Sequence, residues 1–296
     1  MKSLKDYVNE SYLNESAWGA DDYKDFVFED EGSEEAVKEF IMSNYVMPPY
    51  KTFIMDDCEI TFDKTTNKYI VNCDDNVAVS RDALRGMTQL TNGMFKWGVI
   101  KGNFDCQDCT KLTSLEGAPE TVGGEFSCRR CEKLFSLEGA PKNVGGGFHC
   151  SNCYNLASLK GAPDFVRGDF WCDWCKKLFN LEGAPKRVGG DFRCSDCTSL
   201  KSLKGAPREI ERDFYCDGCG MKNLEGAPDF VRGDFVCFES PELESLEGAP
   251  KKVGGDFRCA ECPKLKSTKG IGRVRGEISV RVPEWDGAPD TILDMR

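Results

Sequence analysis

Phe-x-Cys occurs at Phe104, Phe126, Phe148, Phe170, Phe192, Phe214, Phe235 and Phe257, at intervals of 22 residues with one interval of 21. A degenerate copy begins near Ile278, 21 residues on, with Val280 in the cysteine's place. A fixed period of this size means a stack of equivalent supersecondary units, each too small to bury its apolar edge alone. One unit reads V-x-G-x-F-x-C-x-x-C-x-x-L-x-x-L-x-G-A-P, as in Val144, Phe148, Cys150, Cys153, Leu156, Leu159, Gly161, Ala162 and Pro163. The step of two across Phe-x-Cys is a strand period, and the later steps of three suit a tight, irregular path. Gly-Ala-Pro stops any helix, and Gly145-Gly146 permits a second sharp turn. The expected fold is mainly β: a solenoid of 8–9 units over residues 100–296, with short parallel strands about 4.8 Å apart and an irregular convex side.

The rest of the chain reads differently. Residues 1–99 hold 19 acids against 10 bases, whereas residues 100–296 hold 31 against 29, so the net charge of −11 belongs mostly to the N-terminal part. No basic stripe of the kind nucleic acid needs is present. Residues 1–30 form a polar, acidic segment in which Leu4, Tyr7, Val8, Tyr12 and Leu13 recur at helix-like spacing; it reads as a short docking helix or as disorder. Residues 31–99 read as an α+β cap on the first repeat, or as an independent small domain. Ser33 caps a helix over 34–44, ended by Met47-Pro48-Pro49. Glu59–Phe62 and Tyr69–Asn72 form a hairpin, and Val77–Val79 a further strand. The last unit is expected to close with Val280, Trp285, Pro289 and Ile292.

The repeat resembles the bacterial leucine-rich repeat, L-x-x-L-x-L-x-x-N/C-x-L, and is most similar to its short class of 20–22 residues found in secreted effectors. Lys111-Leu112-Thr113-Ser114-Leu115 with Gly117-Ala118-Pro119 carries the likeness, and Cys109, Cys131, Cys153, Cys175, Cys197, Cys219 and Cys262 fall near the family's Asn/Cys ladder position. It departs in one extra residue before the first leucine and in using Phe and Cys where the family prefers Leu. It also resembles the cysteine-bearing repeats of treponemal and Bacteroides surface proteins. The family implies a leucine-rich-repeat solenoid with a binding face. The opening MKSLKDYVNESYLNES is similar to the starts of proteins of large tailed bacteriophages, which implies a phage origin.

Seven intact C-x-x-C pairs formally match a zinc-ribbon spacing. Three observations favour a core instead. Both cysteines stand in register with Phe and Leu, free cysteine behaves as a small buried hydrophobe, and Ser240 replaces one cysteine so that the pairs cannot be shared out two by two. The expectation is a ladder of core thiols, reduced in a cytoplasm, with no metal and no cofactor.

Enzymatic chemistry lacks its parts. His149 is the only histidine, and strand alternation points it away from Phe148 and Cys150, so it cannot activate Cys150 as a nucleophile. No phosphate loop, dinucleotide fingerprint or H-E-x-x-H is present. No apolar h-region and no span of about 18 apolar residues occurs, so the expectation is a cytoplasmic chain without signal peptide or membrane span, in a bacterial or phage-infected cell, a virion being the alternative.

The residues flanking Phe form outward columns. The column before Phe runs from Asn103 through Asp169, Asp191, Asp213, Asp234 and Asp256, a file of like charges that arginines two residues upstream are expected to offset. The column between Phe and Cys changes at every rung and includes His149, Trp171, Arg193 and Tyr215; Trp174 and Phe238 lie just beyond Cys. Invariant columns inside and a variable column outside are what a binding scaffold needs, and large exposed aromatics dominate interface energies. The functional expectation is a protein-binding face made of Trp171, Trp174, Arg193, Tyr215, Phe238 and His149, with no nucleic acid or membrane partner. A structural role in a phage particle or a self-associating assembly, and a zinc-binding repeat module, are the alternatives.

Overall fold

The computed structural model describes Ile41 and residues 58–78, 88–91 and 95–281. It is a solenoid of about nine coils built from short parallel strands. Each coil contributes not one strand but two. The Phe-x dipeptide forms the expected strand, and x-Val, four residues earlier, forms a second. The valine strands make an 11-stranded sheet and the phenylalanine strands a 10-stranded one. Pairing is in register with the repeat, for example Val166 with Val144 and Val188, and Phe170 with Phe148 and Phe192.

Burial follows the columns. The eight phenylalanines are fully buried and stack at centroid separations of 5.0–5.8 Å down the axis. Valines, both cysteine columns and both leucine columns surround them. Where the 216 unit is one residue short, Met221 takes the leucine's place and is fully buried, as an unbranched, adaptable side chain can.

The thiols of the second cysteine column have a specific partner. Cys131 donates to the carbonyl of Cys106 at 3.3 Å, Cys153 to Cys128 at 3.2 Å, Cys197 to Cys172 at 3.2 Å and Cys219 to Cys194 at 3.2 Å. Each thiol therefore satisfies a buried carbonyl of the preceding coil, which would otherwise cost about 1–3 kcal/mol. Ser240, fully buried in the same column, donates instead to the carbonyl of Phe238 at 3.3 Å.

The glycines act in two ways. The Gly of Gly-Ala-Pro is left-handed, as at Gly183 with φ 89°, and carries the corner. Gly145 is not left-handed; a Cβ there would collide with the carbonyl of Gly123 on the preceding coil. The chain bends at Gly145-Gly146, the second turn expected there, and the missing side chains also allow close approach between coils.

At the N-terminal end β1 (Cys58–Asp63) and β2 (Lys68–Cys73) form the expected antiparallel hairpin, and β3 (Val77–Ala78) the further strand. The hairpin extends the valine sheet through β4 (Phe95–Ile100), while β3 extends the phenylalanine sheet by pairing with Phe104–Asp105. The hairpin register sets Cys58 opposite Cys73, and a disulfide joins them, so the expectation that every cysteine stays a thiol fails here. Of the helix expected over 34–44 only Ile41 is described, helical and fully buried. The segment 1–30, Met47-Pro48-Pro49, and the closing residues Trp285, Pro289 and Ile292 lie outside the described residues.

Candidate functional site on the outer strand face

Four of the six expected site residues come together. His149, Trp171, Arg193 and Tyr215 occupy one column on successive paired strands of the phenylalanine sheet. The rings of His149 and Trp171 stack at 4.3 Å and 13°. The Arg193 guanidinium lies 5.5 Å from the Trp171 centroid and 4.2 Å from that of Tyr215. Guanidinium between two aromatic faces is a favourable cation–π arrangement. Because the groups stack along the solenoid axis, their flat faces cover one another.

That stacking overturns the expected exposure. His149 does point away from Cys150, but Trp171 covers it and leaves it 9% exposed. Trp171, Tyr215 and Phe238 are half-buried, and only Trp174 of the expected aromatics is well exposed, at 44%. Burial lowers the affinity of His149 for a proton. Trp174 stands on the turn between the two cysteines, and Phe238 lies three coils further along, where its N–H donates to Asp217 at 2.8 Å. The structure does not bring these two residues into the stack.

Two features of the backbone place the column. The neighbouring aspartates do not simply repel: Asp169, Asp191, Asp213, Asp234 and Asp256 each accept the N–H of the next residue in the file, at 2.8–3.2 Å. The arginines that approach them are Arg193, 3.7 Å from Asp191, and Arg258, 2.7 Å from Asp256, two residues downstream rather than upstream. The file breaks at Gly147. A Cβ there would stand 2.7 Å from His149 Nε2, so the missing side chain makes room for the imidazole that starts the stack.

The face carries unsatisfied donors. Among the described residues, five buried side-chain polar atoms lack a hydrogen-bond partner, and four of them cluster here: Trp171 Nε1, Arg193 Nε, Arg129 Nε and Ser151 Oγ. The fifth, Trp97 Nε1, belongs to β4 at the cap. Asp173 sits in the column of Arg129 and Ser151; it accepts the Ser195 N–H at 2.9 Å, yet burial holds its carboxyl up at about 6. Tyr215 donates to Asp213 at 2.9 Å, and burial with that bond raises its phenol to about 12.

Sequence reasoning missed Phe135, Tyr154 and Phe179, exposed at 62%, 44% and 58%. The signal was available: Phe135 and Phe179 follow a core leucine at a position where other units carry Thr113, Lys201 and Lys266.

The thiols on the inner side of this face are fully buried, and burial raises those of Cys150, Cys172 and Cys194 well above the ordinary range, which suppresses thiolate chemistry. Among the described residues no group of three or more His, Cys, Asp or Glu side chains is placed to hold a metal ion, and no helix is long and apolar enough to cross a membrane. No protein-family model, no curated protein and no solved structure matches the chain.

Proposed function

We propose that the chain is a non-enzymatic repeat scaffold that binds a protein partner through the outer face of the phenylalanine sheet, centred on His149, Trp171, Arg193 and Tyr215. One observation carries the reading: His149, Trp171, Arg193 and Tyr215 stand on four successive coils in one stacked column whose residue changes at every rung, and Trp171, Arg193 and Tyr215 keep part of their surface open. Trp, Tyr and Arg are the side chains that protein interfaces favour. The thiol ladder, an invariant inner column beside a variable outer one, supports grouping the chain with the short cysteine-rich leucine-rich repeats.

The test is Trp171→Phe, which keeps an aromatic ring in the stack and shrinks the surface offered to a partner. Full-length protein and variant are used as baits in lysate of the native cell, with captured proteins quantified by mass spectrometry. The expected result is a partner whose capture falls about tenfold, a loss near 1.4 kcal/mol, while the melting temperature stays within a few degrees. Undiminished capture by Trp171→Phe would remove this face from the proposal.

A further inference from the structure

A second surface, independent of the strand face, lies on the turns that follow it. On three successive coils the arc from the first cysteine to the second leucine column carries Trp174 between the two cysteines, Tyr154 just after the second, and Phe135 and Phe179 just after the first leucine, each 44–62% exposed. Two coils at about 4.8 Å place Phe135 and Phe179 roughly 10 Å apart. None is required by the fold. The position of Phe135 and Phe179 is filled elsewhere by Lys201, Lys222 and Glu244, and that of Trp174, left-handed on each coil from Asp108 to Glu261, by Asn152, Asp196 and Gly218. The repeat imposes that conformation, and a bulky Trp is a costlier occupant of it than Asn, Asp or Gly.

The patch is also basic. Over residues 130–135, 152–157 and 174–179, which leave out the strand face, there are four bases and one acid, a net of +3 in a chain of net −11. Many lysines elsewhere pair with a carboxylate on a neighbouring coil, as Lys160 does with Glu138 at 2.6 Å and Lys186 with Asp164 at 2.8 Å. Among the described residues Lys133 and Lys177 have no such partner.

The complement is in the same chain. Residues 21–30, DDYKDFVFED, hold five acids and one base, a net of −4, with Tyr23, Phe26, Val27 and Phe28 between them. Residue 30 is eleven positions from Ile41, which is buried in the core. Eleven extended residues span about 35 Å, and the patch lies two to four coils from the cap, roughly 10–20 Å along the axis. We propose that residues 21–30 dock in cis on the patch of Phe135, Tyr154, Trp174 and Phe179, with Lys133 and Lys177 pairing their carboxylates.

Zero-length carbodiimide cross-linking of the full-length protein, mapped by mass spectrometry over a tenfold dilution, tests this. The expected products join Lys133 or Lys177 to a carboxylate of residues 21–30, in a yield that dilution leaves unchanged. Phe26→Ser with Phe28→Ser, which keeps every reactive group, should cut that yield at least fivefold without moving the melting temperature. Cross-links spread evenly over other lysines, a yield that falls on dilution, which would assign the segment to a second copy, or indifference to the Phe26/Phe28 change would each overturn the proposal. None of these outcomes bears on Trp171, so this docking site and the strand-face reading stand or fall separately.

Discussion

Replacing Cys153 by alanine and by serine separates what the thiol ladder contributes from what its bulk contributes. Cys153 is fully buried and donates to the Cys128 carbonyl at 3.2 Å. Alanine removes the donor, leaving a buried carbonyl unsatisfied at about 1–3 kcal/mol, and opens a void of one heavy atom worth about 1 kcal/mol. The sum is about 2–4 kcal/mol. Serine keeps a hydroxyl that can find a carbonyl, as Ser240 does within its own coil at Phe238, so Cys153→Ser should cost about 1–2 kcal/mol, less than alanine. The assay is urea unfolding followed by circular dichroism under reducing conditions, comparing midpoints at unchanged slope. Solenoid stability is a sum of coil and interface contributions, so a lesion in the middle coils should also lower cooperativity for alanine before serine. Equal losses for the two variants would refute the hydrogen-bond argument, and a loss under about 0.5 kcal/mol for alanine would refute the claim of a close-packed column.

Two other substitutions probe the outer surface. Asp173 has a carboxyl raised to about 6 by burial, above the unfolded value of about 3.9, so the stability tied to its protonated form is complete below about pH 4 and is lost as pH rises through 6. Asp173→Asn keeps an acceptor for the Ser195 N–H without the buried charge; its advantage over the parent should be near zero at pH 4 and grow to about 1–2 kcal/mol by pH 7, as denaturant titrations at the two pH values would show. Trp174→Gly should leave stability unchanged or raise it by up to about 1 kcal/mol, because the φ of 61° no longer opposes a Cβ; a fall in melting temperature of several degrees would show that the indole packs more than its exposure indicates.

The inward files were legible because a fixed period lets each column vote on its own character: Phe104 to Phe257, the paired cysteines and the leucines all recur and are all buried. The hairpin of β1 and β2 was legible from apolar runs around a polar turn. The valine strand was not, because a single Val144 between polar Asn143 and Gly145 shows no two-residue period. Gly145 was recognised as a turn, but its second constraint was not, since the carbonyl it must clear belongs to another coil. The aspartate file was read as charge alone because the N–H groups it satisfies lie 21 or 22 residues away. The same distance hid the burial of His149, which depends on Trp171 one coil later. Columns announce what is inside; contacts between coils decide how the outer columns fold over one another.

The account rests on repeat thiols that lie dry in the core and donate to backbone carbonyls, leaving the outer columns free to engage other molecules. Labelling with a maleimide, counted by intact mass before and after denaturation, tests this most directly. Native protein should leave all fifteen repeat thiols, Cys106 through Cys262, unlabelled whether or not a chelator is present, and denatured protein should label all fifteen. Rapid native labelling of any coil, or protection that a chelator abolishes, would contradict it.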